Sequence, residues 1–404
     1  MLIAVGVGGF FTGRTSVSSA SNGANRESHP VTMQFEPVSV TFASLDEGWS
    51  LGTASCTNDG ACLTLLQTKN QGHSWTAIGL PATLLATADR KVNGLTAASV
   101  EFAGLSVRFA NSKDGWIYGT LSIPSPRAGV PGDVFEPILW STHDGGSTWT
   151  QQPLGWIGGQ SLLFDLEPVA GSVYAMAANN GQGVTVESSA VGVDSWHADS
   201  TPSLGSPAGG GLQTGSFVFN GTAGWLVEGN DRGTTGSARL SASGRWTAWT
   251  PPCMSVGDSF AVPAASTPND LVAVCTMGGF ALPLSKSAPR GATLGSNWLY
   301  LSTNAGGSFA AGPELRPIRG YYDSSVLASP VPGVILLSRD AGSGQDLVAS
   351  FDGGLHWSVV YRGQLFYLGF TSATQGVGIV RSAKGATSMV MTFDGGRSWS
   401  TVAF

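Results

Sequence analysis

The chain has 404 residues, of which 42% are hydrophobic, 57 are glycine and only 11% are charged, where an ordinary globular chain carries roughly 25% charged residues. That apolar content excludes an intrinsically disordered chain, and glycine at about twice its usual ~7% share points to many tight turns rather than long helices. With 20 Lys and Arg against 26 Asp and Glu, the net charge of −6 supplies none of the electrostatic footprint that nucleic acid requires.

Residues 1–27 stand apart from the rest. Leu2 to Phe11 is an apolar run shorter than the ~18–20 residues that span a bilayer, and no basic residue precedes it. Arg14 and a Ser/Ala/Asn/Gly stretch to Asn25 follow, including the small-residue context Ser18-Ser19-Ala20. The segment reads as the remnant of a signal or anchor followed by a polar linker, with a simple apolar tail as the alternative. The first reading implies export to the cell envelope or exterior, with membrane contact only through that anchor. The four cysteines fall as two local pairs, Cys56 with Cys62 and Cys253 with Cys275, and none forms a CxxC. Two disulfides within these local pairs are the preferred expectation, although four cysteines allow three pairings and the sequence alone leaves the other two open; four buried reduced thiols are the alternative.

From there one pattern recurs: Ser or Thr, any residue, Asp or Asn, any, Gly, any, a small residue, then an aromatic. In chain order it places Asn70, Gly72 and Trp75; Asp144, Gly146 and Trp149; Asn304, Gly306 and Phe309; Asp352, Gly354 and Trp357; and Asp394, Gly396 and Trp399. Eroded copies stand at Ser188 to Trp196 and Ser241 to Trp246. The carboxylate or amide can accept backbone N–H bonds, the Gly can take positive φ, and the hydroxyl can tie the turn to the preceding strand. The aromatic then anchors the following strand. Upstream of each copy an alternating apolar strand and a short turn lead into a second apolar strand, often opening Gly-Trp, as in Gly48-Trp49, Gly115-Trp116 and Gly224-Trp225.

Seven such units, spaced on average about 54 residues apart from Trp75 to Trp399, predict an all-β chain built as a single seven-bladed propeller with four-stranded antiparallel blades. The blades are expected at about 36–80, 104–153, 160–200, 214–251, 258–312, 320–362 and 364–404, within one domain of residues 36–404. The last unit supplies its own four strands, with Val31 to Phe35 as a candidate extra closing strand. Three insertions interrupt the rhythm, at Pro81 to Gly104, Pro124 to Pro137 and Met277 to Asn297. Loops on a rigid disc are where binding commonly resides, although neutral surface insertion accounts for them equally well.

The turn, as in Thr142 to Trp149, resembles the Asp-box or BNR repeat of sialidases and related propellers. Its pairing with Gly-Trp strands, as in Lys113-Asp114-Gly115-Trp116, resembles the photosystem II assembly factor-like propellers and exported bacterial BNR-like proteins. In those families the turn lies on the outer rim, away from the central funnel, so the resemblance implies fold more than function. A sialidase would also carry an Arg triad, a Tyr–Glu nucleophile pair and an Asp acid, with a Phe/Tyr-Arg-Ile-Pro segment before the first box. No such segment precedes Thr68. The residue types cluster instead at Glu314, Arg316, Arg319, Tyr321 and Asp323, between the fifth and sixth units, where a solvated loop is the simpler reading.

Other acids that could line the funnel are Asp89, Asp165, Glu167, Glu228, Asp231 and Asp258, but no spacing shows that two of them meet. The five histidines, His29, His73, His143, His197 and His356, give no metal-ligand pattern, and no cofactor fingerprint stands in a suitable context. No metal or cofactor is expected. The repeating Trp residues read as core; Trp140, Trp156 and Trp298, off the pattern, are candidates to stack on a sugar if exposed. These readings converge on an exported, monomeric, non-catalytic scaffold for a protein or glycan partner. The competing class is a glycoside hydrolase or sialidase-like enzyme using the funnel.

Overall fold

The computed structural model describes residues 5–6, 35–55, 61–82, 84, 104–124, 133–155, 162–179, 183–202, 204, 214–230, 233–255, 259–277, 297–315, 326–340 and 345–404. Seven antiparallel sheets follow one another along the chain, and each takes four consecutive strands, a to d, in order. Blade 1 comprises Phe35–Phe42, Gly48–Ser55, Ala61–Thr68 and Thr76–Ile78; blade 2, Ser106–Phe109, Gly115–Pro124, Asp133–Thr142 and Thr150–Gln151. Blade 3 comprises Leu162–Val169, Ser172–Asn179, Gly183–Ala190 and His197–Ala198; blade 4, Thr214–Asn220, Ala223–Asn230, Gly233–Leu240 and Trp246–Ala248. Blade 5 comprises Ser259–Ala265, Leu271–Met277, Asn297–Ser302 and Ala310–Leu315; blade 6, Val326–Ala328, Ile335–Asp340, Gln345–Ser350 and Ser358–Arg362. Blade 7 comprises Gln364–Phe370, Gly376–Arg381, Thr387–Thr392 and Ser400–Thr401. The molecule is a seven-bladed β-propeller. The inner strand of blade 6 also pairs with a two-residue strand, Val5–Gly6, Val5 lying opposite Leu327. Among the described residues no helix is long and apolar enough to cross a membrane.

The core lies between successive sheets, because each sheet is apolar on both faces. Trp49, Leu51, Leu63 and Leu65 of blade 1 pack against Val107, Phe109, Ile117, Ile138 and Trp140 of blade 2, with the Trp49 and Phe109 rings stacked 3.8 Å apart. Val40 and Phe42 of blade 1 meet Val377, Ile379, Met389 and Met391 of blade 7 and close the ring. The terminal Phe404 packs 4.6 Å from Phe35 and 5.5 Å from Trp75. Phe35 belongs to blade 1's own inner strand, and Val31 to Gln34, the rest of the candidate closing strand, lie outside the described residues; among the described residues blades 1 and 7 share no strand.

The Gly that opens strand b has a steric reason. An added Cβ at Gly48, Gly115 or Gly376 would come within 2.7 Å of the ring of Phe42, Phe109 or Phe370, the residue ending strand a of the same blade, and Gly224, second in its strand, meets Phe219, the next-to-last residue of strand a, in the same way. A side chain there would expel the ring from the core. Two expectations need correction. Strands b and c of blade 2 extend further than the interruption at Pro124 to Pro137 implied, with Pro124 opposite Asp133. Strand d of blade 5 runs to Leu315, so Glu314 is a strand residue opposite Trp298 rather than a member of a connecting loop.

The a–b and c–d turns share one end of the disc, the turn face, whereas the b–c and d–a connections belong to the other, the loop face. On the turn face Asp144 accepts from Thr142 Oγ1 at 2.9 Å, the Thr148 backbone N–H at 2.8 Å and Thr148 Oγ1 at 2.6 Å. Thr142 Oγ1 in turn accepts the Gly146 N–H at 2.9 Å. Asp352 and Asp394 make the same set with Ser350 and His356, and with Thr392 and Ser398. Gly146 has φ 94°, and an added Cβ would lie 2.7 Å from Ile78 of the preceding blade. Glycine there serves both the turn and the packing between blades.

Candidate functional site

Inner strands of a propeller leave one edge facing the axis, so some of their N–H groups need partners from outside their own sheet. Side chains of the preceding blade supply several. Val107 N–H donates to Ser39 Oγ at 3.1 Å, Leu163 N–H to Thr120 Oγ1 at 3.0 Å, and Ala261 N–H to Thr234 Oγ1 at 2.9 Å. At the junction of blades 3 and 4 the acceptor is a carboxylate, Asp165 Oδ2, which takes the Phe217 N–H at 2.8 Å.

Asp165 and Glu167 stand two apart on the inner strand of blade 3, and both are buried. Glu167 Oε1 accepts from Arg108 Nε of blade 2's inner strand at 2.8 Å, with both side chains buried. The Arg108 guanidinium also donates to the Val107 carbonyl at 3.0 Å. It lies 5.8 Å from the centre of the Tyr367 ring on the inner strand of blade 7. Three blades thus meet at one guanidinium near the axis.

Burial and charge oppose each other throughout this cluster. Burial lifts Asp165 to about 6, although Arg108 and the Phe217 and Leu166 N–H groups pull the other way. It lifts Glu167 to about 7 against the pull of Arg108. Burial also works against the charge on Arg108, but Glu167, Tyr118, Tyr367 and Asp165 outweigh it and hold the guanidinium protonated. The Tyr118 and Tyr367 phenols are pushed up by burial. One fixed positive charge is shared by two reluctant carboxyls, an arrangement that cross-braces blades and leaves neither acid free to face the other across an opening.

A second constellation sits on the turn face between blades 2 and 3. His143 Nδ1 lies 2.8 Å from Asp114 Oδ1 and Nε2 lies 2.9 Å from Asp194 Oδ2. Asp194 Oδ2 also accepts from Ser141 Oγ at 2.6 Å and Gln152 Nε2 at 2.8 Å. Partial burial disfavours the imidazolium, but the two aspartates raise the His143 pKa above its ordinary value. Among the described residues no group of three or more His, Cys, Asp or Glu could hold a metal ion.

Of the acids singled out from the sequence, the structure brings Asp165 and Glu167 together and sets Glu228 apart in blade 4. Asp89, Asp231, Asp258, Asp323, Arg316, Arg319 and Tyr321 lie outside the described residues. So do Trp156 and Cys56. Trp140 is 2% exposed and part of the core between blades 1 and 2, which removes it as a sugar platform; Trp298 is half-buried in blade 5. Cys253 and Cys275 form a disulfide joining the short 3-10 helix Pro252–Ser255 to strand b of blade 5, and Cys62 is also disulfide-bonded. Arg108, Tyr118 and Tyr367 escaped the sequence reading. The available signal was a cation in the otherwise apolar inner strand Ser106–Phe109, in a chain with few charges.

No protein-family model matches the chain, and no curated protein matches it. Solved structures do. It is similar to YCF48 bound to D1 peptide at 18% identity, covering 94% of this chain and 99% of that one, with a TM-score of 0.46. An ulvan lyase from a new family of polysaccharide lyases matches at 10% identity over 93% of this chain and 97% of that one, TM-score 0.51. A puromycin hydrolase variant matches at 15% identity and TM-score 0.50, with 91% of this chain covering 53% of that one. At these identities the likeness to the lyase and the puromycin hydrolase shows the fold alone.

Proposed function

We propose that the protein is a non-catalytic binding scaffold, exported to the cell envelope or exterior, that presents its loop face to a protein or glycan partner. The observation that carries this reading is the internal commitment of the axial acids. Glu167 is tied to Arg108 and Asp165 to the Phe217 N–H, so among the described residues no two free carboxyls face each other as glycoside hydrolysis demands. Asp165 occupies the place that Ser39, Thr120 and Thr234 hold at other blade junctions, which is a bracing role. The Cys253–Cys275 disulfide fits an oxidising compartment. The insertions that the sequence places between blades 1 and 2 and between strands b and c of blades 2 and 5 are variable connections of a rigid disc, a common platform for recognition.

The test pairs a hydrolysis screen of the full chain on chromogenic glycosides, sialosides and polysaccharides with glycan-array and envelope-protein capture. The expected result is capture without turnover. Turnover abolished by Asp323→Asn would replace the scaffold reading with a hydrolase acting through the segment from Arg316 to Asp323. Turnover surviving that change would make it an enzyme with its acids elsewhere.

A further inference from the structure

One contact between blades on the turn face is complete in a single protonation state. His143 stands second in the c–d turn of blade 2, Thr142 to Trp149, at a position the repeat leaves free. Its Nδ1 reaches Asp114 Oδ1 in the a–b turn of the same blade at 2.8 Å, and its Nε2 reaches Asp194 Oδ2 in the c–d turn of blade 3 at 2.9 Å. An ionised carboxylate only accepts, and a neutral imidazole has one N–H. Both contacts are therefore hydrogen bonds only while the ring carries two protons. Loss of one proton turns a nitrogen lone pair toward a carboxylate oxygen.

The surroundings concentrate this dependence on the blade 3 turn. Asp194 has φ 56°, a left-handed conformation that its contacts must hold, and those contacts come from blade 2: His143, Ser141 and Gln152. Gly192 of the same turn lies over Asp114, where an added Cβ would meet Oδ1 at 3.3 Å. The charged groups facing the His143 ring are Asp114 and Asp194. Lys113 meets this turn through its backbone carbonyl, which accepts the Gly145 N–H. Asp144 is bound up with Thr142 and Thr148, and His197 of blade 3 faces Ser188 and the Ser195 carbonyl. Partial burial works against the imidazolium, and the bonds and charges of Asp194 and Asp114 outweigh it, so the His143 pKa stands above its ordinary value.

We propose that His143 is a pH-operated clasp between blades 2 and 3: its imidazolium, bridging Asp114 and Asp194, holds the blade 3 turn against blade 2, and loss of the proton loosens that turn. By linkage, a raised folded pKa gives stability that is fully present below the unfolded value near 6.5 and is lost as pH rises through the folded value. Ser141 and Gln152 still donate to Asp194 once the clasp opens, so the turn loosens locally and the blades stay together. The turn displays Val193, 60% exposed, and the clasp sets how firmly that apolar side chain is held on the turn face.

The experiment follows the His143 Cε1 proton of the full chain by NMR from about pH 5 to about pH 9, the signal being assigned by its loss in His143→Gln. Hydrogen exchange of the Val193 and Ser195 amides, expressed relative to intrinsic rates, is read over the same range. His143 should titrate above about 6.5, and Asp114→Asn and Asp194→Asn should each lower its midpoint. Protection of the two amides should fall several-fold as pH passes that midpoint, and His143→Gln, which does not titrate, should remove the step. A midpoint at or below about 6.5, a midpoint unmoved by both Asp→Asn changes, or an amide step that is absent in the wild type or persists in His143→Gln overturns the proposal. Should Asp194→Asn fail to fold, Asp114→Asn decides, because an unmoved midpoint there overturns it as well.

Discussion

Asp144, Asp352 and Asp394 on the turn face and Asp165, Glu167 and Glu228 inside the ring are the same functional group in opposite settings. The first three are wrapped by N–H and hydroxyl donors from their own turn, and those bonds hold each near 2. The second three are enclosed by apolar sheets, and burial holds them near 6 or 7. Local hydrogen bonding favours the charged form where water still reaches, whereas desolvation disfavours it where water does not. The pH consequences run in opposite directions. Carboxyls with a lowered folded pKa give stability that is present above the unfolded value near 4 and is lost as pH falls through about 2. Carboxyls with a raised folded pKa make the fold less stable as pH rises from about 4 through 6 to 7.

The largest test of that contrast removes the one charge that holds the axial cluster. Arg108→Ala leaves Glu167 buried without its cation and should cost about 3–5 kcal/mol, read from denaturant unfolding; a loss below about 1 kcal/mol would show that the axis is open to water. Next is Asp165→Asn, which keeps an acceptor for the Phe217 N–H but cannot ionise. It should stabilise the protein by about 3 kcal/mol at pH 8 and by less than about 1 kcal/mol at pH 4. Lower stability than wild type at pH 8 would show instead that Arg108 needs both acids ionised. The smallest effect belongs to Asp394→Ala. The amides of Arg397 and Ser398 should exchange with solvent at least about tenfold faster, while the global stability at pH 7 falls by only about 1 kcal/mol, because the carboxylate is largely exposed and screened. A midpoint shift rivalling that of Arg108→Ala would make the turn face part of the same cooperative unit as the axis.

Legibility in the sequence follows the same division. The turn face was readable because its chemistry is local: a hydroxyl, an acid or amide, a glycine and an aromatic within eight residues, as in Thr392 to Trp399. The Gly-Trp openings were readable too, but their cause, the ring of Phe109 lying against Gly115, is a contact between neighbouring strands. The axial cluster was not readable. Arg108 and Glu167 are 59 residues apart, and Tyr367 comes from the far end of the chain; only ring closure brings them together. Glu228 could be marked as an acid in an apolar strand, but its isolation depends on Gly215 and Gly236 lying across from it.

The closing seam has its own implication. Blade 7 meets blade 1 through Thr387 Oγ1 donating to the Pro37 carbonyl at 2.8 Å, Gln375 Nε2 to the Leu45 carbonyl at 2.9 Å, and the packing of Phe404 on Phe35. These are the same kinds of contact that join other neighbouring blades, and among the described residues no shared strand reinforces them. The ring is therefore circular in its physics although linear in its covalent chain. A circular permutant cut in the turn between strands c and d of blade 4, with the old ends joined by a linker, should rebuild the same seven interfaces and merely relocate the gap.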